Sequence, residues 1–246
     1  LVEELAQGLA VVPQVALPGL DVEVVEVDLD LLAERQRLDV GIVLVVEVEV
    51  EIVEVAATVA YAGRGGACSW SANLSVAEGA SLRWPGEPFV VATDARATRT
   101  TRADIADGGS LMLRDTLVLG RHGEAGGELV ARTDISHAGR PALVEEFRLA
   151  ADDDAPGIRG GRRVVDQVTT LGAAAILQRA PGALTRADAA KPAAAAPEST
   201  RPDSTMLGSA PVGHDLPVGV TRLDLFAPGR IERWLGDDVH LSPLRC

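Results

Sequence analysis

The stretch Ser81–Glu128 reads SLRWPGEPFVVATDARATRTTRADIADGGSLMLRDTLVLGRHGEAGGE. It divides into three extended pieces, each closed by a turn signal. Leu82–Ala92 carries Pro85 and Pro88. Both fix φ, lack an N–H for a strand ladder, and push the residue before them toward an extended conformation. Ala97–Ile105 is β-branched and alternating, and it runs into Asp107-Gly108-Gly109. Glycine takes positive φ without steric cost, so this turn between two alternating runs predicts a β-hairpin with Leu111–Leu119 as the returning strand. The third piece ends in a glycine-spaced loop with both charge signs, Gly120-Arg121-His122-Gly123-Glu124.

The same spacing of short runs and turns continues outward. Ala56–Tyr61 precedes the turn Gly63–Gly66, and Ala67–Val76 ends at Glu78-Gly79-Ala80. Leu129–Ser136, a Gly139–Pro141 turn and Ala142–Leu149 read as a second hairpin; Thr221–Phe226, Ala227-Pro228-Gly229 and Arg230–Leu235 read as another. Between them lie the acidic loop Asp152–Asp154 and a β-branched strand, Arg162–Thr170. No repeat of solenoid length is read. The expectation is a mainly β fold, with layered, stacked and twisted sheets built from consecutive hairpins and one or two short helices, over a single domain 1–246.

Two segments differ in character. Residues 1–57 hold no Ser, Thr, Lys, Asn, His or aromatic side chain and are dominated by Val, Glu, Leu, Ala and Asp. They carry secondary-structure information and little chemistry: a short helix at Leu1–Ala10, a strand at Asp21–Asp30, a long strand or a pair of strands over Leu38–Val55, and a bulge where the alternation slips at Ile52-Val53. Glu47, Glu49 and Glu51 share one face of that strand and read as a solvated ladder, since like charges on one face repel. The stretch 180–202 is rich in Ala and Pro and reads as a poorly ordered loop or a linker that orders on a partner.

Composition narrows the function classes. Acids number 36 against 23 Lys plus Arg, a formal charge of −13, and Lys191 is the single lysine. Such a surface argues against a nucleic-acid partner, whose phosphates need cations. The longest apolar runs, Gly41–Val46 and Leu171–Leu177, are too short to span a bilayer, and Leu1–Ala10 lacks a basic signal-peptide start. Cys68 and Cys246 allow one disulfide at most and read as two thiols of a cytoplasmic protein. They are too few for a site of strong zinc or nickel ligands.

Signatures of catalysis are missing. There is no nucleophile elbow, no phosphate-cradling Gly-x-x-x-x-Gly-Lys loop and no His-Glu-x-x-His, and His122, His137, His214 and His240 are scattered. Asp115 is the most informative acid. A period of two sets it in one row with Leu111, Leu113, Leu117 and Leu119. A carboxylate in an apolar row must be paired, hydrated or protonated. It either lines a wet path, or pairs with an arginine such as Arg99, Arg102 or Arg121, or faces outward while Met112 and Val118 face the core. Glu87 reads as a turn carboxylate accepting backbone N–H bonds, and Glu124 as a loop charge paired to Arg121. Of Glu145 and Glu146, one faces in and one out.

The order and spacing of several motifs resemble the urease accessory protein UreD (UreH) family. They are Trp84-Pro85-Gly86-Glu87-Pro88, where the family more often has Pro-Glu-Pro; Asp115 on the strand ahead of Gly120-Arg121-His122-Gly123-Glu124; Gly139-Arg140-Pro141-Ala142-Leu143; and Ala56–Ala60. The resemblance covers roughly Leu38–Gly172 and, more weakly, Leu223–Gly236. It implies a mostly β, non-enzymatic scaffold that binds urease structural subunits, recruits UreF and UreG, and passes nickel through an internal channel. It makes Asp115, Glu87 and Glu124 candidate carboxylates of a transient Ni2+ path, with no tightly bound cofactor, and Arg121, His122, Trp84 and Arg140 candidate interface residues. Any GTP-driven step would then belong to a partner. Two other readings stand beside it: a generic all-β interaction module, and a hydrolase pairing Asp115 with Glu87 or Glu124 across a cleft roughly 5–10 Å wide.

Overall fold

A computed structural model describes residues 37–62, 66–152, 159–172 and 218–244. The expected helix at 1–10, the strand at 21–30 and the Ala/Pro-rich stretch 180–202 lie outside them. The described residues form two facing sheets. One holds β1 (Arg37–Val46), β4 (Ala67–Val76), β7 (Arg96–Ile105), β9 (Glu128–His137) and β10 (Arg140–Ala150), side by side in that order. The other runs β12 (Val220–Asp224), β13 (Gly229–Gly236), β11 (Val164–Leu171), β8 (Ser110–Leu119), β5 (Ser81–Pro85), β2 (Glu49–Glu51), with β3 (Thr58–Ala60) and β6 (Phe89–Val91) as short continuations. A single 3-10 turn, Val239–Leu241, is the helical structure among the described residues. The mainly β, layered architecture is therefore borne out.

The connectivity differs from the hairpin reading. Asp107-Gly108-Gly109 does make a tight turn, with Gly108 at φ 76° and the Gly109 N–H donating to Ala106 O at 3.0 Å. Yet β7 and β8 do not pair with each other. The turn arches from one sheet to the other, and each strand pairs in parallel with the strand one lap earlier: β7 with β4, β8 with β5 and β6. Arg37 of β1 faces Ala67 of β4, thirty residues on. The chain thus winds as a coil from β1 to β9, although no repeat of solenoid length is read from the sequence. Ala80 N–H bonds to Ala77 O at 3.2 Å in the preceding arch, and Ser110 N–H bonds to Ala80 O at 3.0 Å, so the arches stack. Gly109 has no room for a side chain: a Cβ would lie 2.8 Å from Ala77 O.

Two expected hairpins are present. β9 and β10 pair antiparallel across Ala138 and Gly139, both at positive φ, and β12 pairs antiparallel with β13. β11 lies antiparallel between β8 and β13. The space between the sheets is filled by alternate residues, among them Leu74, Val76, Leu82, Ile105, Leu111, Leu129 and Leu171. β8 is buried on both sides. Its Met112 and Val118 join Val164, Val168, Trp234 and Leu244 in a second apolar layer outside the sheet, while its other face, with Leu113, Asp115 and Leu117, packs between the sheets, so Asp115 does not face outward. On that outer side Asp166, with no exposed surface, accepts bonds from Arg114 Nε and Nη2 (3.0 and 2.9 Å), Thr116 Oγ1 (2.8 Å) and Ser242 Oγ.

The prolines interrupt the second sheet at one level. Pro85 and Pro88 cannot donate to β8, so the strand breaks into β5 and β6 around Gly86-Glu87, and the ladder resumes at Phe89, opposite Leu117. Gly86 suits the break, since a Cβ there would sit 2.6 Å from Arg114 O. In the lap below, β2 and β3 break at the same level, around Glu54: Ile52 N–H bonds to Arg83 O (2.8 Å) before the gap and Thr58 N–H to Pro88 O (3.0 Å) after it. The slip at Ile52-Val53 is this break.

Candidate functional site

At the level of these breaks a polar row crosses the otherwise apolar interior. Each member is in phase with buried apolar residues of its own strand: Arg99 with Ala97 and Ala103, Asp115 with Leu113 and Leu117, Gln167 with Val165 and Leu171, Arg233 with Ile231. Register sets Asp115 beside Gln167, and Gln167 beside Arg233. On the facing sheet Thr101 lies beside Thr133, and Thr133 beside Glu145.

Arg99 is 8% exposed. It donates through Nη2 to Asp115 Oδ1, and the pair's side chains are 10% and 13% exposed. Its guanidinium carbon lies 4.1 Å from the Trp70 ring centroid and 5.3 Å from that of Phe89. Planar cations favour such aromatic faces when water is excluded. Trp84 packs 6.1 Å from Trp70 and donates through Nε1 to Glu54 Oε1 at 2.8 Å. The other Glu54 oxygen accepts the Glu87 N–H at 2.8 Å, a backbone donor freed by the break. Burial raises the Glu54 pKa above the ordinary carboxylate value, against the bonds from Glu87 and Trp84 and the charge of Arg99.

A second ion pair ends the row. Arg233 Nη2 donates to Glu145 Oε1 and its Nε to Gln167 Oε1 at 2.8 Å, while Gln167 Nε2 donates to Glu145 Oε2 at 3.1 Å. Arg233 also lies 4.7 Å from the Phe147 ring centroid. Between the two pairs is a cavity of about 10 Å3 bordered by Arg99, Asp115, Thr101, Thr133, Phe147 and Gln167. That is room for about one water molecule. The row is a series of carboxylates held by guanidinium groups, with hydroxyl and amide oxygens at the gap.

The residues singled out from the sequence fall in separate settings. Asp115 is in the row, on the arginine-paired reading, with Arg99 as the partner. Glu87 is exposed and reaches the row only through its backbone N–H. Glu124 accepts from Arg121 Nε (2.8 Å) and N–H (3.1 Å) and from Thr93 N–H (3.4 Å), which makes it the staple of its glycine loop. The Arg121 side-chain bond is the main cause of its pKa falling to about 2. Arg121 also lies 5.2 Å from the Tyr61 ring centroid. Trp84 is a core residue, 2% exposed, and not a surface one, whereas Arg121, His122 and Arg140 are exposed. Glu145 faces in; Glu146 faces out toward Arg148 and Arg132. The cavity at Asp115 is lined by neither Glu87 nor Glu124, so no cleft with a carboxylate pair forms there. Among the described residues no group of three or more His, Cys, Asp or Glu is placed to hold a metal ion. Cys68 Sγ donates to Arg96 O at 3.7 Å.

Glu124 supplies an acid-dependence test. Its folded pKa of about 2 lies below the ordinary value, so the charged form is favoured by the fold. The loop contribution is complete above pH about 4.5 and is lost as pH falls toward 2. Amide exchange at Arg121 and Thr93 should accelerate across that window, and Glu124→Gln should show fast exchange already at neutral pH. Unchanged protection in the variant would remove the staple role.

Sequence reasoning missed Glu54, Gln167 and Arg233. Glu54 lies in the Val/Glu-rich segment, whose composition promises little chemistry. The available signal was a polar residue in phase with apolar ones on a strand, the rule that found Asp115, which applies equally to Gln167 and Arg233.

Comparison with known proteins agrees with this fold. The model of the UreD urease accessory protein family matches residues 32–242. The chain belongs to that family. Among curated relatives, urease accessory protein UreD 1 of Streptomyces griseus subsp. griseus is 45% identical over 122 residues, 49% of this chain and 48% of the relative. UreD 3 of the same organism is 36% identical over 104 residues (41% and 40%), and UreD of Streptomyces avermitilis 33% over 121 residues (47% and 48%). The chain spans about half the length of the curated relatives it matches. No helix among the described residues is long and apolar enough to cross a membrane.

Proposed function

We propose that the chain acts in urease maturation in the cytoplasm as a non-catalytic scaffold, which binds the urease structural subunits, recruits UreF and UreG, and lets nickel pass along the polar row between its sheets. Family membership supports the accessory role. The single observation that supports the path is the line of interior oxygens from Glu54 through Asp115, Thr101, Thr133 and Gln167 to Glu145, set in an otherwise apolar core. Oxygen ligands suit passage, because they hold a borderline ion weakly enough to release it. Nickel here is cargo, and GTP hydrolysis is left to a partner. Arg121, His122 and Arg140, exposed on two turns, are the proposed contact residues for the partner proteins.

The test is co-expression with the urease subunits, UreF and UreG, with light scattering on what elutes together. Asp115→Asn should leave the complex intact and slow nickel-dependent urease activation by about tenfold or more, the scale of losing one close charge. Activation at the wild-type rate with a folded variant would remove Asp115 from the path. A folded chain that elutes alone from every mixture would remove the scaffold.

A further inference from the structure

The polar row is already occupied by cations of the protein's own, and this carries an inference about entry, resting on the maturation reading above. Two carboxylates from different elements flank the Trp70 and Trp84 pair: Asp115 on β8, bonded to Arg99, which lies over the Trp70 ring, and Glu54 in the break of the lap below, bonded to Trp84 Nε1. Glu54 takes its hydrogen bonds from neutral N–H groups, those of Trp84 and Glu87. Asp115, the hydroxyl-bearing Thr101 and Thr133, Gln167 and a second arginine, Arg132, border the cavity together with Arg99. An incoming cation reaching that cavity meets Asp115 already neutralised.

We propose that Arg99 is the gate of the row: a resident counter-ion that must leave Asp115, turning along the Trp70 and Phe89 faces toward Glu54, before a divalent cation can be held at Asp115. The aromatic faces make the exchange feasible in a dry interior, since the guanidinium keeps a cation–π partner while it loses its carboxylate. The carboxylate left behind is a monodentate or bidentate oxygen ligand beside hydroxyls, the hard-donor setting a divalent ion accepts once it has shed most of its water. Charge is conserved locally, because Glu54 receives the guanidinium as Asp115 receives the metal. The row then excludes cargo by default and admits an ion that out-competes a guanidinium for one carboxylate, which favours two charges over one.

The experiment is equilibrium dialysis of the full chain, in complex with its partners, against Ni2+, with bound metal measured directly. Arg99→Gln and the size-matched Arg99→Met leave Asp115 without its counter-ion, and each should retain nickel at least about tenfold more strongly than wild type. Arg99→Lys keeps the charge and should behave as wild type. Adding Asp115→Asn to Arg99→Gln should abolish the gain. Folded Arg99→Gln or Arg99→Met that retains no more nickel than wild type overturns the gate. If neither variant folds, the wild-type chain decides: its Arg99 Nε–H resonance, shifted by the Trp70 ring, should move on addition of Zn2+ as a diamagnetic divalent probe, and an unmoved resonance overturns the gate. The path itself stands or falls separately. Asp115→Asn without effect on activation removes the path whatever Arg99 does, whereas slowed activation together with unchanged nickel retention in Arg99→Gln removes only the gate.

Discussion

Asp166→Ala is expected to cost about 3–5 kcal/mol, the range for removing one partner of a buried ion pair. Asp166 has no exposed surface, and its carboxylate gathers four donors: two from Arg114, the Thr116 hydroxyl and the Ser242 hydroxyl. The variant takes from Arg114, whose side chain is 15% exposed, the buried carboxylate it is bonded to twice, and takes the same acceptor from both hydroxyls. It also releases Ser242, whose Oγ accepts the Leu244 N–H at 3.1 Å, so the segment that brings Leu244 onto the outer apolar layer loses its anchor. Domains of this kind have a total stability of about 5–15 kcal/mol. Urea denaturation should therefore show a large fall in midpoint. The double variant Arg114→Met/Asp166→Leu removes both charges and should recover most of the loss, because a buried pair adds little over a well-packed apolar one. A loss under about 1 kcal/mol for Asp166→Ala would mean that the four-donor cluster is not holding the outer layer.

Trp84→Ala should cost about 3–5 kcal/mol as well, the usual range for deleting a buried tryptophan. Trp84 is 2% exposed and packs against Trp70 between the sheets. Its loss also strips Glu54 of its side-chain donor, in a place where burial already disfavours the charged carboxylate. Trp84→Phe separates the two effects: most of the ring volume stays, only the N–H goes, and the expected cost is about 1–3 kcal/mol. The sign of the pH dependence follows from Glu54. Its folded pKa lies above the unfolded value of 4.5, so the folded state holds the proton more tightly. The Glu54 contribution to stability is then fully present below pH 4.5 and declines as pH rises through the folded pKa. In Trp84→Phe the loss of a donor to the charged form raises that pKa further, so the decline should extend to higher pH. A pH profile for Trp84→Phe that overlays the wild type would disconnect Glu54 from Trp84.

The strands themselves were legible because alternation is a local signal. Ala97–Ile105 and Leu111–Leu119 match β7 and β8 to within a residue or so. Which strand pairs with which was not legible from the turn. A glycine at positive φ serves an arch between sheets as well as a hairpin, and the choice is made by a partner some thirty residues away. One sequence feature does betray it. Ala77-Glu78-Gly79-Ala80-Ser81-Leu82 and Ala106-Asp107-Gly108-Gly109-Ser110-Leu111 are near copies, and in the structure they stack, Ser81 facing Ser110 and Leu82 facing Leu111. For the site, Asp115 was found through phase, and its pairing with an arginine was among the open alternatives. Glu54 was hidden because its inward turn depends on a strand break that is answered, one lap later, by Pro85 and Pro88.

The winding also fixes an order of assembly. From β4 to β8 each lap finds a pairing partner in chain that precedes it, so each can add to the last as it leaves the ribosome, as in linear repeat folds. Arg99 and Asp115 meet at that stage. Gln167, Glu145 and Arg233 arrive later, once β11 and β13 dock beside β8, and Ser242 last of all. Until then one flank of β8 stays open to water, which hydrates the charged groups while they find their partners. Burial of Gln167, Glu145 and Arg233 is thus deferred to the closing step, and a nascent chain stopped short of residue 164 would present the polar row half built along its growing edge.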